Sequence, residues 1–203
     1  MTDTVSAFVD DSLLAQRAAR NVEAFLALYD RYFARVYMYF RHRCAEAQTC
    51  DDLTAQTFEQ ALSHICDYCP DRGSFAAWLF GIARNIANAH FRRTLRFQWV
   101  PLELVRSLPG RDPLPEETAI ETDQQQVLLR CIQELSPRQR DLLALKFAAG
   151  LTNRQIAQLT GLGEQNVGVI LHRSIRHLRK RMEAPEDRRA RQSAGGPVPE
   201  TTG

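Results

Sequence analysis

Residues 135–182 read LSPRQRDLLALKFAAGLTNRQIAQLTGLGEQNVGVILHRSIRHLRKRM, and this stretch decides the fold of the C-terminal half. It contains two capping boxes, SPRQ at 136–139 and TNRQ at 152–155, in which a Ser or Thr precedes a Gln by three residues. Pro137 follows the first of these caps, at the helical position that tolerates a missing N–H. The signals predict one helix over about 137–149, which ends at a glycine, and a second, shorter helix that begins after Thr152.

The segment TGLG at 160–163 turns the chain into a final helix, which we predict from Glu164 to about Met182. Two short helices joined by a glycine-containing turn of three or four residues form a helix-turn-helix. In that motif the second helix lies in the major groove of DNA and presents its N-terminal residues to base edges. Capping, turn spacing and the basic final helix favour DNA binding over a plain helical hairpin.

Charge is unevenly distributed along the 203 residues, although the net charge is only +2. Residues 125–183 contain ten basic and four acidic side chains, whereas residues 98–124 contain two basic and six acidic ones. A basic module behind an acidic connector indicates a polyanionic partner, although basic solvated faces are common. The connector is also rich in proline, and we interpret 98–122 as a linker and 184–203 as a disordered tail.

The N-terminal half has the 3.6-residue periodicity of helices, and no strand pattern occurs along the chain. The apolar spacing predicts a long helix through Phe25 and Phe40, and a second helix over 51–65 with acidic residues in its first turn. Ser74 is placed to cap a third helix, FAAWLFGIARNIANAHFRR. The predicted fold is all-α, with helical domains at 12–97 and 123–183 joined by a flexible linker.

The third N-terminal helix mixes aromatic and basic side chains. Opened single-stranded DNA binds such surfaces, because unpaired bases stack on exposed rings while guanidinium groups contact phosphates. Its apolar positions include Phe75, Trp78 and Ile82 at helical spacing, and its basic ones include Arg84 and Arg92. By composition alone, packing of the aromatic face into a core is the favoured interpretation.

Four blocks of sequence together resemble an extracytoplasmic-function (ECF) RNA polymerase sigma factor. These blocks are NVEAFLALYDRYFARVY, DDLTAQTFEQAL, SFAAWLFGIARNIANAHFRR and the stretch at 135–182. A single helix-turn-helix is weakly specific, but this order with an acidic linker is strongly specific, and it covers residues 12–97 and 123–183. The resemblance implies a protein that directs core polymerase to promoters and helps to melt them, without catalytic residues, metal or cofactor.

The resemblance also implies three groups of site residues. The surface that docks on polymerase would comprise Asp51, Asp52, Leu53, Gln56 and Phe58. The downstream (minus-ten) promoter element would meet Asp71, Arg72, Asn85, Asn88, Arg92 and Arg93. The upstream (minus-thirty-five) element would meet Gln165, Asn166, His172, Arg173, Arg176 and Arg179. Since Gly168 and Val169 offer no hydrogen-bonding side chain, we expect base readout from Gln165, Asn166 and His172 or from DNA shape, and phosphate contacts from the arginines.

Two functions of other classes remain open at this level. The start of the 135–182 stretch also resembles the helix-turn-helix of LuxR-type transcriptional regulators, which usually carry a sensor domain as well. The second alternative is a metal or redox module built on the cysteines. Cys66 and Cys69 form a C-x-x-C pair, with Cys44 and Cys50 as further candidate ligands, but one such pair is only half a zinc site. Reduced thiols are the favoured interpretation.

The remaining expectations concern location and partners. The first residues lack the basic start and apolar core of a signal peptide, and no apolar run reaches membrane-spanning length. These features predict a cytosolic protein. The resemblance implies RNA polymerase core and promoter DNA as partners, and an anti-sigma factor as an inhibitor.

Overall fold

The computed structural model describes residues 10–97 and 123–182, which form eight α-helices and no strand. The N-terminal group comprises α1 (Asp11–Ala18), α2 (Val22–Arg43), α3 (Ala47–Ser63) and α4 (Phe75–Phe97), with short 3₁₀ turns at Ile65–Asp67 and Pro70–Arg72. The C-terminal group comprises α5 (Asp123–Gln133), α6 (Pro137–Leu143), α7 (Asn153–Thr160) and α8 (Glu164–Met182). The all-α prediction is confirmed. The linker predicted at 98–122 and the tail predicted at 184–203 lie outside the described residues.

Both predicted capping boxes are formed. The Ser136 hydroxyl accepts a hydrogen bond from the Gln139 amide, and the Gln139 side chain accepts one from the Ser136 amide; Thr152 and Gln155 repeat the arrangement. A π-helical turn at Ala144–Ala148 extends α6 before the chain turns at Gly150, where φ is +64°. Such left-handed backbone favours glycine, so the predicted helix end is confirmed.

Two features of the N-terminal group differ from prediction. Helix α3 begins at Ala47, one turn before the predicted start, and therefore Asp51 and Asp52 lie in its second turn rather than its first. The prediction missed this start because the N-cap residue, Glu46, makes no capping hydrogen bond with its side chain. Helix α1 was not singled out from the sequence. It is capped by Asp10, which accepts a 3.2 Å hydrogen bond from the Ser12 amide, and it buries three small or apolar residues against α2.

The two helical groups pack against each other and share a continuous core. Helix α2 contacts α5, α6 and the π-helical turn, while α4 contacts α7. On one side of the contact, Arg35 donates to the carbonyl oxygens of Ala148, at 3.3 Å, and Ala149. On another, the Gln155 side chain donates to the Ser74 hydroxyl at 3.0 Å. The C-terminal group thus covers part of α2 and the start of α4.

Candidate nucleic-acid and polymerase interface

Helix α8 presents the predicted upstream-element residues to solvent. Its apolar side packs on α6 and α7 through Val167 and Leu171, which the turn at Gly161–Gly163 orients. Gly161 has a φ of +72°, the left-handed conformation that the turn between the two helices requires. The opposite side exposes all six predicted residues, Gln165, Asn166, His172, Arg173, Arg176 and Arg179, together with Val169 and Lys180, which were not predicted. This arrangement has the geometry of a helix-turn-helix whose second helix is accessible.

One further arginine of α8 is already engaged. Arg181 forms a two-pronged ion pair with Glu134, the residue that follows α5, and its Nε and Nη2 atoms both lie 2.8 Å from the carboxylate oxygens. The guanidinium group lowers the pKa of the Glu134 carboxyl. This pair joins the first and last helices of the C-terminal group, so α8 carries exposed predicted arginines and, near its end, a structurally paired one.

A groove between α3 and α4 brings together residues from two of the predicted sites. It has a volume of about 250 Å³. Gln56, predicted to meet polymerase, lines it beside Asn85 and Arg93, predicted to meet DNA. Asp51 and Asp52 are exposed on the same helix as Gln56. Gln56 of the polymerase group therefore shares a groove with two residues of the downstream-element group.

Two of the predicted polymerase contacts are largely buried. Leu53 and Phe58 are only 5% and 6% exposed, because they face the apolar side of α3 that packs on the rest of the N-terminal group. The Phe58 ring packs against Tyr29, with ring centroids 4.6 Å apart. Leu53 also lines the groove, and the exposed members of the predicted docking group are Asp51, Asp52 and Gln56.

The loop between α3 and α4 is braced by an aromatic cluster. The Tyr68 hydroxyl donates to the Gly73 carbonyl oxygen at 3.2 Å, and its ring lies 5.6 Å from Phe75 and 5.7 Å from Trp78, between centroids. Outside this support, Asp71 and Arg72 are exposed. The loop can therefore present polar groups while its backbone stays fixed, as a site for an unstacked base would require.

Side chains along α4 differ in availability. Asn85, Arg92 and Arg93 are exposed, whereas Asn88 is half-buried and its side-chain oxygen accepts a 3.0 Å hydrogen bond from Arg43. Arg84 is committed to the C-terminal group, since it pairs with Asp141 at 2.9 Å. The structure thus leaves three of the four predicted α4 residues open to a ligand and engages the fourth.

Sequence reasoning missed a polar cluster at the contact between the two groups. Tyr39 and Arg43 of α2 and Arg84 of α4 surround Asp141 of α6. One signal was present: Tyr39 and Arg43 lie on the same face of α2 as the buried Val36 and Phe40, where a charged residue calls for a partner. The identity of that partner could not be read from α2 alone.

The cysteines do not assemble into a larger ligand set. Cys44 and Cys50 are buried, Cys69 is half-buried and Cys66 is exposed. A hydrogen bond between the first two thiols lowers the pKa of Cys44, whereas the same pairing, together with burial, raises the pKa of Cys50. Within the part of the chain that the structure describes, no group of three or more His, Cys, Asp or Glu residues is placed to hold a metal ion.

Two family models match this arrangement of helices. The sigma-70 region 2 model matches residues 28–97, and the sigma-70 region 4 model matches residues 125–178. Over 178 residues, the chain is 32% identical to the ECF RNA polymerase sigma factor BldN of Streptomyces coelicolor, covering 87% of this chain and 66% of BldN. The chain belongs to the ECF sigma factor family. The region 2 match accounts for the N-terminal half, and neither model supports the LuxR-type alternative.

In further relatives of the sigma factor, the similarity also extends over most of both chains. The ECF sigma factor SigX of Bacillus subtilis is 26% identical, with 79% of this chain and 84% of SigX covered. The solved structure of CnrH in complex with the cytosolic domain of CnrY is similar at a TM-score of 0.58 and 26% identity, covering 84% of this chain and 95% of CnrH. RpoE of Bartonella quintana, solved with the anti-sigma factor NepR, has the same fold at a TM-score of 0.62 and 18% identity, over 79% and 97% of the two chains.

Among the described residues of the sigma factor, none of the helices combines the length and the apolar character of a membrane-spanning segment.

Proposed function

We propose that this sigma factor binds RNA polymerase core, directs it to a narrow set of promoters and helps to open them, acting in the cytoplasm without a catalytic activity of its own. Helix α8 would read the upstream element. The loop before α4 and the exposed part of α4 would hold the opened downstream element. Asp51, Asp52 and Gln56 would contribute the docking surface for polymerase, and an anti-sigma factor would be the inhibitor.

The observation that carries this proposal is the exposed row on α8. Its first turns present Gln165 and Asn166, whose amides can donate to and accept from base edges. Its later turns present arginines, which neutralise phosphates. Helix-turn-helix proteins dock in the major groove through their second helix. In this helix, polar side chains near the N-terminus contact bases, and basic side chains further along contact phosphates.

Polymerase docking is supported by the acidic surface of α3. Asp51, Asp52 and Gln56 are exposed on α3, and the largely buried Leu53 and Phe58 anchor this helix to the rest of the N-terminal group. Because the surface is polar and shallow, we expect charge complementarity to govern its recognition more than apolar burial does.

Transcription in vitro with purified core polymerase and a library of genomic promoter fragments tests the function. Transcripts that start at discrete sites only when the protein is added are the expected result. Core polymerase that gains no promoter-specific transcription would contradict the proposal.

The docking surface has its own test. Reversing both charges, Asp51→Lys with Asp52→Lys, should reduce co-purification with core polymerase by at least about tenfold, since charged contacts across an interface contribute several kcal/mol when desolvated. Asp30→Lys on the exposed side of α2 is the control for added positive charge. Circular dichroism should find the same helicity in all variants. Undiminished binding of the double variant would rule out this surface.

A further inference from the structure

One carboxylate links the two helical groups. Asp141 of α6 is 7% exposed, and it receives three donors from the N-terminal group. Its Oδ1 accepts from the Tyr39 hydroxyl at 3.0 Å and lies 3.1 Å from Arg43 Nη1, while its Oδ2 lies 2.9 Å from Arg84 Nε. Burial raises the pKa of the Tyr39 hydroxyl, so it remains a donor at neutral pH. Both carboxylate oxygens are thus satisfied from across the contact.

Arg84 is held by the C-terminal group through two contacts. Besides its ion pair with Asp141, its Nη1 donates to the Leu159 carbonyl oxygen at the end of α7, at 2.9 Å. The side chain of Leu159 packs against α4, since a Cβ at Gly81 would lie in ordinary contact with its Cδ2 atom, at 3.5 Å. Arg84 is therefore covered by residues of the domain that would read the other promoter element.

Arg84 stands in line with residues of the downstream-element site. Residues 84, 88 and 92 recur at intervals of four, so they lie on one face of α4. Asn88 is the second member of this row and Arg92, which is exposed, is the third. At the start of the same helix, Ser74 accepts from Gln155 of α7. The C-terminal group thus covers the first turns of the face that continues into exposed Arg92.

Carboxylate and phosphate are recognised by arginine through the same chemistry, because the planar guanidinium group donates parallel hydrogen bonds to two oxygens. We propose that Asp141 occupies Arg84 in place of a DNA phosphate, and that Arg84 becomes a phosphate-binding residue of the downstream-element site when the two domains separate. The inference rests on the proposed function, since it assigns a further residue and an internal competitor to the same DNA site.

The competition has a calculable consequence. We call the arrangement in which the two helical groups pack together closed, and the arrangement in which they are separated open. If about 90% or more of the molecules are closed, the apparent affinity of the covered DNA site falls at least about tenfold, because only open molecules bind. Removing the Asp141 charge should recover this factor. It leaves buried Arg43 and partly buried Arg84 without the carboxylate that pairs with both, which favours opening of the contact.

The test compares full-length variants for binding to a fluorescent single-stranded DNA of about 20 nucleotides. Asp141→Asn should bind about tenfold more tightly than the unmodified protein. Glu134→Gln is the matched control: it removes one acidic charge from the same domain, at the exposed pair with Arg181 rather than at the contact. Its affinity should change by less than about twofold, since exposed pairs contribute little.

Arg84→Gln separates opening from binding. Like Asp141→Asn, it removes an ion pair and weakens the contact, so small-angle scattering should report a larger radius of gyration for both variants than for the unmodified protein. Unlike Asp141→Asn, it should bind the single-stranded probe no more tightly than the unmodified protein. The double variant should lack the gain of Asp141→Asn. Arg84 is partly exposed, so its replacement by Gln leaves little buried volume to refill.

Three results would overturn the inference: equal gains in Asp141→Asn and Glu134→Gln, unchanged scattering in Asp141→Asn, or a full gain in the double variant. None of these results would contradict the proposed function, because that function is tested separately, by promoter-specific transcription with the unmodified protein and core polymerase. Conversely, absence of such transcription would remove the function whatever the probe measurements give.

Discussion

The exposed arginines of α8 make a quantitative prediction about salt. Arg173, Arg176 and Arg179 are exposed, and within the described part of the chain they have no ion-pair partner. Each phosphate neutralised by such a residue contributes about 0.9 to the slope of the logarithm of the binding constant against the logarithm of salt concentration. Between 50 and 200 mM salt, one contact therefore accounts for about a 3.5-fold loss of affinity and three contacts for about 40-fold.

Replacing Arg176 by Gln should lower duplex affinity at low salt and reduce the salt slope by about one unit, with the same loss on every DNA sequence. Fluorescence anisotropy with two unrelated duplexes over that salt range measures both quantities. Gln has nearly the helix propensity of Arg, so α8 itself should be preserved.

Arg181 provides a matched control on the same helix. Its guanidinium group is bonded twice to Glu134, so its charge is largely neutralised before DNA arrives. Arg181→Gln should therefore change the slope by less than half as much as Arg176→Gln. Equal slope changes in the two variants would mean that overall charge, rather than the exposed row, drives binding. A loss confined to one DNA sequence would instead assign Arg176 to base readout.

Two further predictions concern the other parts of the promoter site. Gln165→Ala with Asn166→Ala should change promoter preference in a selection from randomised upstream elements, because each lost amide pair removes about 1–3 kcal/mol of discrimination; an unaltered preference would leave DNA shape as the means of recognition. Alanine at Asp71, Arg72 and Asn85 should reduce transcription from closed duplex while largely sparing a template with a pre-opened bubble, since flipping out a base costs a few kcal/mol that the pocket must offset. Equal losses on both templates would assign these residues to docking or stability. Asn88 is left unchanged in that test because it accepts a hydrogen bond from buried Arg43.

Most of the helical framework could be predicted because its signals are local. The capping boxes at Ser136 and Thr152, and the glycines at positions 150 and 161, depend on residues at most four positions apart. Helix α1 was missed since only eight residues contribute to it and a few of them reach the core. The start of α3 was missed because its N-cap lacks the side-chain bond that the prediction relies on.

In the candidate site, too, the features that depend on local sequence were predicted and those that depend on tertiary packing were not. All six residues on α8 are exposed as expected, because a single amphipathic helix fixes which side faces solvent. On α3 the resemblance implied five residues of one motif, whichever side of the helix they face. The structure shows that two of them, Leu53 and Phe58, face the core. Asp141 lies 102 residues from Tyr39 and 57 from Arg84, so only tertiary packing could bring them together.

The closed arrangement and the use of two promoter elements place opposite demands on the domains. Elements about 25 base pairs apart are separated by about 85 Å of duplex at about 3.4 Å per pair. A packed body of about 150 residues has a radius of gyration of only about 15 Å, so the closed arrangement is too small to reach both promoter elements at once. The chain connection is no obstacle, since about 25 residues can span at most about 90 Å when extended. What opposes separation is the packing between the domains, where opening exposes Arg43 and deprives Asp141 of its three donors. Polymerase and promoter must therefore supply interactions that offset this cost, and a DNA phosphate at Arg84 replaces the ion pair that this arginine forms with Asp141 in the closed arrangement.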